Sequence, residues 1–65
     1  MSATGTVITI DRAQQRGTIR GDDDRVRHFE REGMVLWLQF DDLRPGVRVR
    51  YEVEATGSAF NVERL

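Results

Sequence analysis

The chain has 65 residues, of which ten are arginine, eleven are acidic and none is cysteine. A chain of this length forms one domain, residues 1–65, that buries only about 60% of its unfolded surface and leaves no room for a deep catalytic cleft. The formal net charge of −1 gives no overall field that attracts a polyanion, and the lack of cysteine excludes disulfides and thiolate metal sites.

The N-terminus shows no targeting pattern. Residues Met1–Thr4 lack a basic stretch followed by an apolar one, and the longest apolar run in the chain is Met34–Leu38. We therefore expect neither a signal peptide nor a membrane span, and no membrane partner. A cysteine-free chain is compatible with a reducing, cytoplasmic setting.

Two strands are predicted in the first third of the chain. Thr6–Asp11 is rich in β-branched residues, and Arg16–Arg20 follows after the polar segment Arg12–Gln15. Gly17 inside the second strand indicates a bend or a close approach of another backbone.

A third strand is predicted over Arg25–Glu30. Its alternation places Val26 and His28 on one face and Arg27 and Phe29 on the other.

The clearest strand pattern lies in Val47–Glu54. Its apolar residues fall on one face and its charged residues on the other, which is typical of a half-buried antiparallel strand. The turn Pro45–Gly46 precedes it, since proline presets one turn residue and glycine accepts a positive φ at the next. After a turn at Thr56–Ser58, a last strand is predicted over Ala59–Glu63.

The segment Glu30–Asp42 has no clear period, because its central apolar run is apolar on both faces of any strand. A loop closing one end of a barrel, a short helical turn and an extra strand are all compatible with it. Its large side chains either cap the core or form an exposed patch that docks a protein partner or a second copy of the chain. A third interpretation is that Trp37 stacks on a nucleic-acid base. The candidate interaction residues are Met34, Leu36, Trp37 and Phe40.

Four short motifs together resemble the cold-shock domain family. They are Gly5-Thr6-Val7, Arg16-Gly17-Thr18-Ile19, Leu43-Arg44-Pro45-Gly46 and Ala59-Phe60-Asn61-Val62. The family's opening pattern, G-T-V-K-W-F-N-x-x-K-G-F-G-F-I, aligns without a gap from Gly5 to Ile19. The resemblance implies an all-β fold, a small five-stranded antiparallel OB-fold barrel, with single-stranded RNA or DNA as its ligand.

The positions that face the ligand in that family differ in this chain. Thr9 stands where the family has tryptophan, Ile10 replaces phenylalanine, and Arg16 and Thr18 replace two more phenylalanines. Because each base stacked on an aromatic ring contributes about 1–3 kcal/mol, the resemblance implies weak, salt-sensitive and sequence-tolerant binding. The competing interpretation is a solvated sheet face without a ligand. The residues that the resemblance assigns to nucleic-acid binding are Arg16, Thr18, Arg20, Arg27, His28 and Phe29.

No pattern in the sequence indicates catalysis or a metal. His28 is the only histidine, and the run Asp22–Asp24 lacks the glycine and glutamate spacing of a calcium loop, so a solvated hairpin loop is favoured. No nucleophile with a base and no phosphate-binding glycine loop can be argued. We therefore expect neither an enzyme nor a bound cofactor.

Overall fold

A computed structural model describes residues 2–65, which form five strands and two short 3-10 helices. The 3-10 helices, Arg31–Gly33 and Trp37–Asp42, both lie between the third and fourth strands. The strands are β1 (Ser2–Asp11), β2 (Arg16–Gly21), β3 (Val26–Glu30), β4 (Arg48–Val53) and β5 (Ala59–Arg64).

All five strands belong to one antiparallel sheet in the order β3-β2-β1-β4-β5. The sheet curls into a half-barrel, so the all-β fold and the small, OB-like architecture predicted from the sequence are confirmed. The two ends of the sheet, β3 and β5, face each other across an open seam. No helix among the described residues is long and apolar enough to span a membrane.

The strand bounds agree with the sequence prediction to within one residue, except at the start of β1. That strand begins at Ser2 and not at Thr6, because the segment Ser2–Thr6 pairs with β4, from Glu52 to Arg48. Small residues dominate this segment, so it carries no hydrophobic alternation by which sequence reasoning could find it.

The core is built from side chains that point into the half-barrel. Phe29 and Phe40 meet edge to face at its centre, with ring centroids 6.3 Å apart. The buried apolar residues are Val7, Ile19, Phe29, Met34, Phe40, Leu43, Val49, Tyr51, Ala59 and Val62.

Two glycines have the roles that the sequence predicted. A Cβ on Gly17 would lie 2.5 Å from the Thr9 carbonyl oxygen, so only glycine permits this approach of β2 to β1. Gly46 has a φ of +100°, and the Val47 N–H donates to the Arg44 carbonyl oxygen at 3.0 Å. This is the turn predicted before β4.

The segment between β3 and β4 combines two of the predicted alternatives. It contains the two 3-10 helices, and Met34 forms an isolated parallel bridge with Val62 on the free edge of β5. The Val35 N–H donates to the Val62 carbonyl oxygen at 2.9 Å. The segment therefore covers one end of the seam and closes that end of the half-barrel.

Candidate nucleic-acid interface

The outward face of β1, β2 and β3 is polar, as the strand registers determine. Thr18 pairs with Thr9 on one side and with His28 on the other, so the three form a row across the sheet. The Thr9 and Thr18 hydroxyl oxygens lie 2.5 Å apart and share a hydrogen bond. The row presents two hydroxyls and an imidazole to solvent. The resemblance to the cold-shock family would place stacking aromatic rings at Thr9 and Thr18.

Arg16 and Arg20 lie on the same outward face of β2, on either side of Thr18. Arg16 pairs with Glu30 and Arg20 with Val26 in the strand register. Within residues 2–65, neither guanidinium makes an ion pair or a side-chain hydrogen bond. Both remain available to an anionic ligand.

A shallow depression of about 290 Å³ lies beside the threonine row. It runs between the end of β1 and the middle of β3 and is open to solvent. Its rim carries one guanidinium and one carboxylate. The residues that line it are Thr9, Asp11, Arg16, Gly17, Thr18 and His28.

Two arginines of β4 are neutralised by carboxylates. Arg48 holds Asp22 through two parallel hydrogen bonds, Nη1 to Oδ1 at 2.7 Å and Nη2 to Oδ2 at 2.8 Å. Arg50 forms an ion pair with Glu63 on the neighbouring strand. Arg16 and Arg20 have no such carboxylate partner among residues 2–65.

Asp22 fastens the β2–β3 loop to the sheet. Hydrogen bonds from Arg48 and then from the Thr4 hydroxyl hold the pKa of the Asp22 carboxyl well below its usual range. The same interaction, in which Arg48 donates to Asp22, raises the pKa of Arg48. Asp22–Asp24 are exposed in a hairpin loop, in agreement with the sequence prediction, and one of the three carboxylates is thereby neutralised.

The burial of Phe29 contradicts its assignment to nucleic-acid binding. Its side chain is only 1% exposed and packs in the core against Phe40. Arg27 shares the inward face of β3, where its Nη1 donates to the Gly57 carbonyl oxygen at 2.9 Å. Because neighbouring residues of a strand point to opposite faces, Phe29 and Arg27 cannot act together with His28 on the outward face.

The apolar segment after β3 is divided between the core and the surface. Met34 and Phe40 are buried, so the expectation that they contact a partner is wrong. Leu36 and Trp37 are exposed, in agreement with the patch interpretation, and Val35 and Leu38 join them. These four residues are between 50% and 78% exposed, and together we call them the apolar patch, Val35–Leu38.

Sequence reasoning placed the interaction surface in the segment Met34–Phe40 but did not single out Val35 and Leu38. The run Met34–Leu38 is apolar at every position, so it carries no alternation that separates inward from outward side chains.

Comparison with known proteins does not assign the chain to a family. No protein-family model matches the chain, and no curated protein matches it. Within residues 2–65, no three histidine or carboxylate side chains come together in a way that could hold a metal ion. We therefore base the functional proposals on two features of the surface, the outward guanidiniums of β2 and the apolar patch.

Proposed function

We propose that this protein is a weak, sequence-tolerant binder of single-stranded RNA or DNA, of the cold-shock type, with a role as an RNA chaperone or transcription regulator. The observation that carries the proposal is the pair of unpaired guanidiniums, Arg16 and Arg20, on the outward face of β2. They flank Thr18 and lie next to the exposed imidazole of His28.

The spacing of these groups suits an extended polyanion. Residues two apart on a strand are separated by about 6.8 Å, so Arg16, Thr18 and Arg20 offer three regularly placed polar contacts along one line. A guanidinium pairs with phosphate and also stacks on a base, and His28 offers a second flat group. The face thus combines backbone contacts with limited stacking.

The expected affinity follows from the residues that replace aromatic rings. Ile10 packs against the core, so the outward face lacks three rings, at Thr9, Arg16 and Thr18. Their absence removes about 3–9 kcal/mol of binding free energy relative to a full aromatic platform. What remains is mainly electrostatic, and electrostatic binding to phosphates falls steeply with salt and discriminates little between sequences.

Titration of a labelled single-stranded oligonucleotide, followed by fluorescence anisotropy at low and high salt, tests the proposal. The variant Arg16→Ser/Arg20→Ser should lose most of the affinity. Arg25→Ser/Arg64→Ser is a matched control, because it also removes two exposed arginines but neither lies on β2. Equal losses in both variants, or no anisotropy change for the natural chain at low salt, would contradict the proposal.

A second candidate function rests on the apolar patch. We propose as the alternative that the half-barrel is a protein-interaction or self-association module and does not bind nucleic acid. Four consecutive large apolar side chains, half or more exposed, are unusual on a domain of this size and are typical of a docking surface.

Sedimentation velocity over a range of protein concentrations tests self-association. The alternative expects a dimer that Trp37→Ser/Leu38→Ser abolishes, together with a blue shift of Trp37 emission as the dimer forms. A monomer at every concentration, with unchanged Trp37 emission, would rule out self-association through this surface.

A further inference from the structure

A groove of about 400 Å³ lies along the seam between β3 and β5. The hydrogen bond from Arg27 to Gly57 crosses the same seam, and the Val35 N–H donates to the Val62 carbonyl oxygen on β5. The charged side chains and the imidazole that line it are Arg16, His28, Glu30, Glu32 and Glu54, and Phe29, Ser58 and Phe60 line it as well.

The register of β3 shows that one of its edges is open. The Gly21 N–H donates to the Arg25 carbonyl oxygen, and the Arg31 N–H donates to the Gln15 carbonyl oxygen. In an antiparallel pair, hydrogen-bonded residues alternate with residues whose N–H and C=O point the other way. The residues that direct their backbone groups away from β2, toward the seam, are Val26, His28 and Glu30.

These backbone groups have no strand partner. In the described part of the chain, β3 ends the sheet on this side, and no ladder joins it to β5. An open edge of this kind accepts an additional strand, whose main-chain groups supply affinity while alternate side chains supply specificity.

The charge of the groove selects the kind of strand. Three carboxylates, those of Glu30, Glu32 and Glu54, outnumber the single guanidinium of Arg16. This surplus attracts cationic side chains and repels phosphate. The groove shares Arg16 and His28 with the depression on the outward face, but its three carboxylates make it the more acidic of the two. Phe60, half-buried on the opposite wall, offers an apolar contact between the carboxylates.

We propose that the open edge of β3 and this groove form a second binding site, which takes an extended segment of a partner protein rich in arginine or lysine. The segment adds to the sheet as a strand beside β3. Its cationic side chains lie against Glu30, Glu32 and Glu54, and its apolar side chains contact Phe60.

A labelled octapeptide that alternates arginine and valine is the probe, and the same peptide with glutamate in place of arginine is its control. In anisotropy titrations the chain should bind the arginine peptide and leave the glutamate peptide unbound. Backbone amide resonances of Val26, His28 and Glu30 should shift on binding, and their hydrogen exchange should slow. Shifts confined to β2, or equal binding of both peptides, would overturn the proposal.

Charge reversal tests the recognition itself. The variant Glu30→Lys/Glu54→Lys should lower the affinity for the arginine peptide at least about fivefold, which corresponds to roughly 1 kcal/mol from exposed charge pairs. It should bind the glutamate peptide instead. Asp42→Lys is the matched control, since Asp42 is exposed and lies outside the groove, and it should leave the affinity unchanged. Equal weakening in both variants would overturn the proposal.

His28→Pro provides an independent test of strand addition. The His28 N–H points away from β2, so proline removes no hydrogen bond of the sheet and is tolerated at such an edge. This variant should keep the circular dichroism of the natural chain and lose peptide binding. A folded His28→Pro variant that still binds the peptide, or a seam that pairs with a second copy of the chain in sedimentation experiments, would contradict the proposal.

Discussion

Arg27 on β3 and Gly57 in the turn before β5 are joined across the open seam by a hydrogen bond of 2.9 Å, from Nη1 to the carbonyl oxygen. No strand ladder links β3 to β5 in the described residues, so this side chain replaces part of the missing backbone pairing. The role of Arg27 is therefore to close the half-barrel.

Replacing Arg27 should lower stability and leave nucleic-acid binding intact. Arg27→Ala removes the hydrogen bond to Gly57 and the packing of the arginine stem, which together contribute about 1–2 kcal/mol to the free energy of unfolding. Urea denaturation measures this loss, and Arg25→Ala, which removes an exposed arginine next to β3, serves as the control. An Arg27→Ala protein with full stability but weaker oligonucleotide binding would restore the role first predicted for Arg27.

Phe29 should behave as a core residue. Phe29→Ala leaves a cavity beside Phe40 and costs about 3–5 kcal/mol, which is enough to unfold a marginal domain of this size. Phe29→Leu keeps most of the volume, so it should remain folded with a lower melting temperature and an unchanged oligonucleotide affinity. Loss of oligonucleotide binding in a fully stable Phe29→Leu variant would show that the ring reaches the ligand.

The carboxylate of Asp22 should make stability depend on pH in the acid range. Its pKa is lower in the folded chain than in the unfolded chain, where an aspartate titrates near 3.9. The stabilisation is therefore fully present above about pH 5 and is lost as the pH falls through the range below about 4.

Melting temperatures measured between about pH 6 and pH 2 test this dependence. Asp22→Asn keeps the size of the side chain and removes its charge, so its curve should be flatter than that of the natural chain over the acid range. Parallel curves would show that the contact between Asp22 and Arg48 contributes nothing measurable.

Gly17 should tolerate no side chain. In Gly17→Ala the new Cβ would meet the Thr9 carbonyl oxygen at 2.5 Å, and backbone on both strands would have to move. Gly33→Ala is the matched control, because its Cβ would lie 3.7 Å from the nearest atom, the Phe60 Cα, in ordinary contact. Thermal unfolding should show a large loss for Gly17→Ala and little change for Gly33→Ala. Similar losses in the two variants would contradict the close packing of β1 on β2.

The fold could largely be predicted from the sequence, because apolar and polar residues alternate along its strands. Val49 and Tyr51 are inward and Arg48 and Arg50 are outward, as the alternation in β4 predicted. The turn at Gly46 was predictable as well, because few residue types other than glycine adopt a positive φ.

The site was harder to predict, because the alternation of residues separates the two faces of a strand without showing which one lines the interior. Arg27 and Phe29 were correctly placed together on one face of β3, but only the closed curvature of the sheet shows that this face is buried. The open edge of β3 could not be read from the sequence, since it depends on the distance between strands that are far apart in the chain.

The central claim, that the outward face of β2 binds single-stranded nucleic acid through Arg16 and Arg20, is tested most directly by the salt dependence of binding. The logarithm of the association constant should fall linearly with the logarithm of salt concentration, and Arg16→Ser/Arg20→Ser should reduce the slope by about 1.4, the value for two lost phosphate contacts. An unchanged slope in the double variant, or a natural chain that shows no binding at low salt, would contradict the claim.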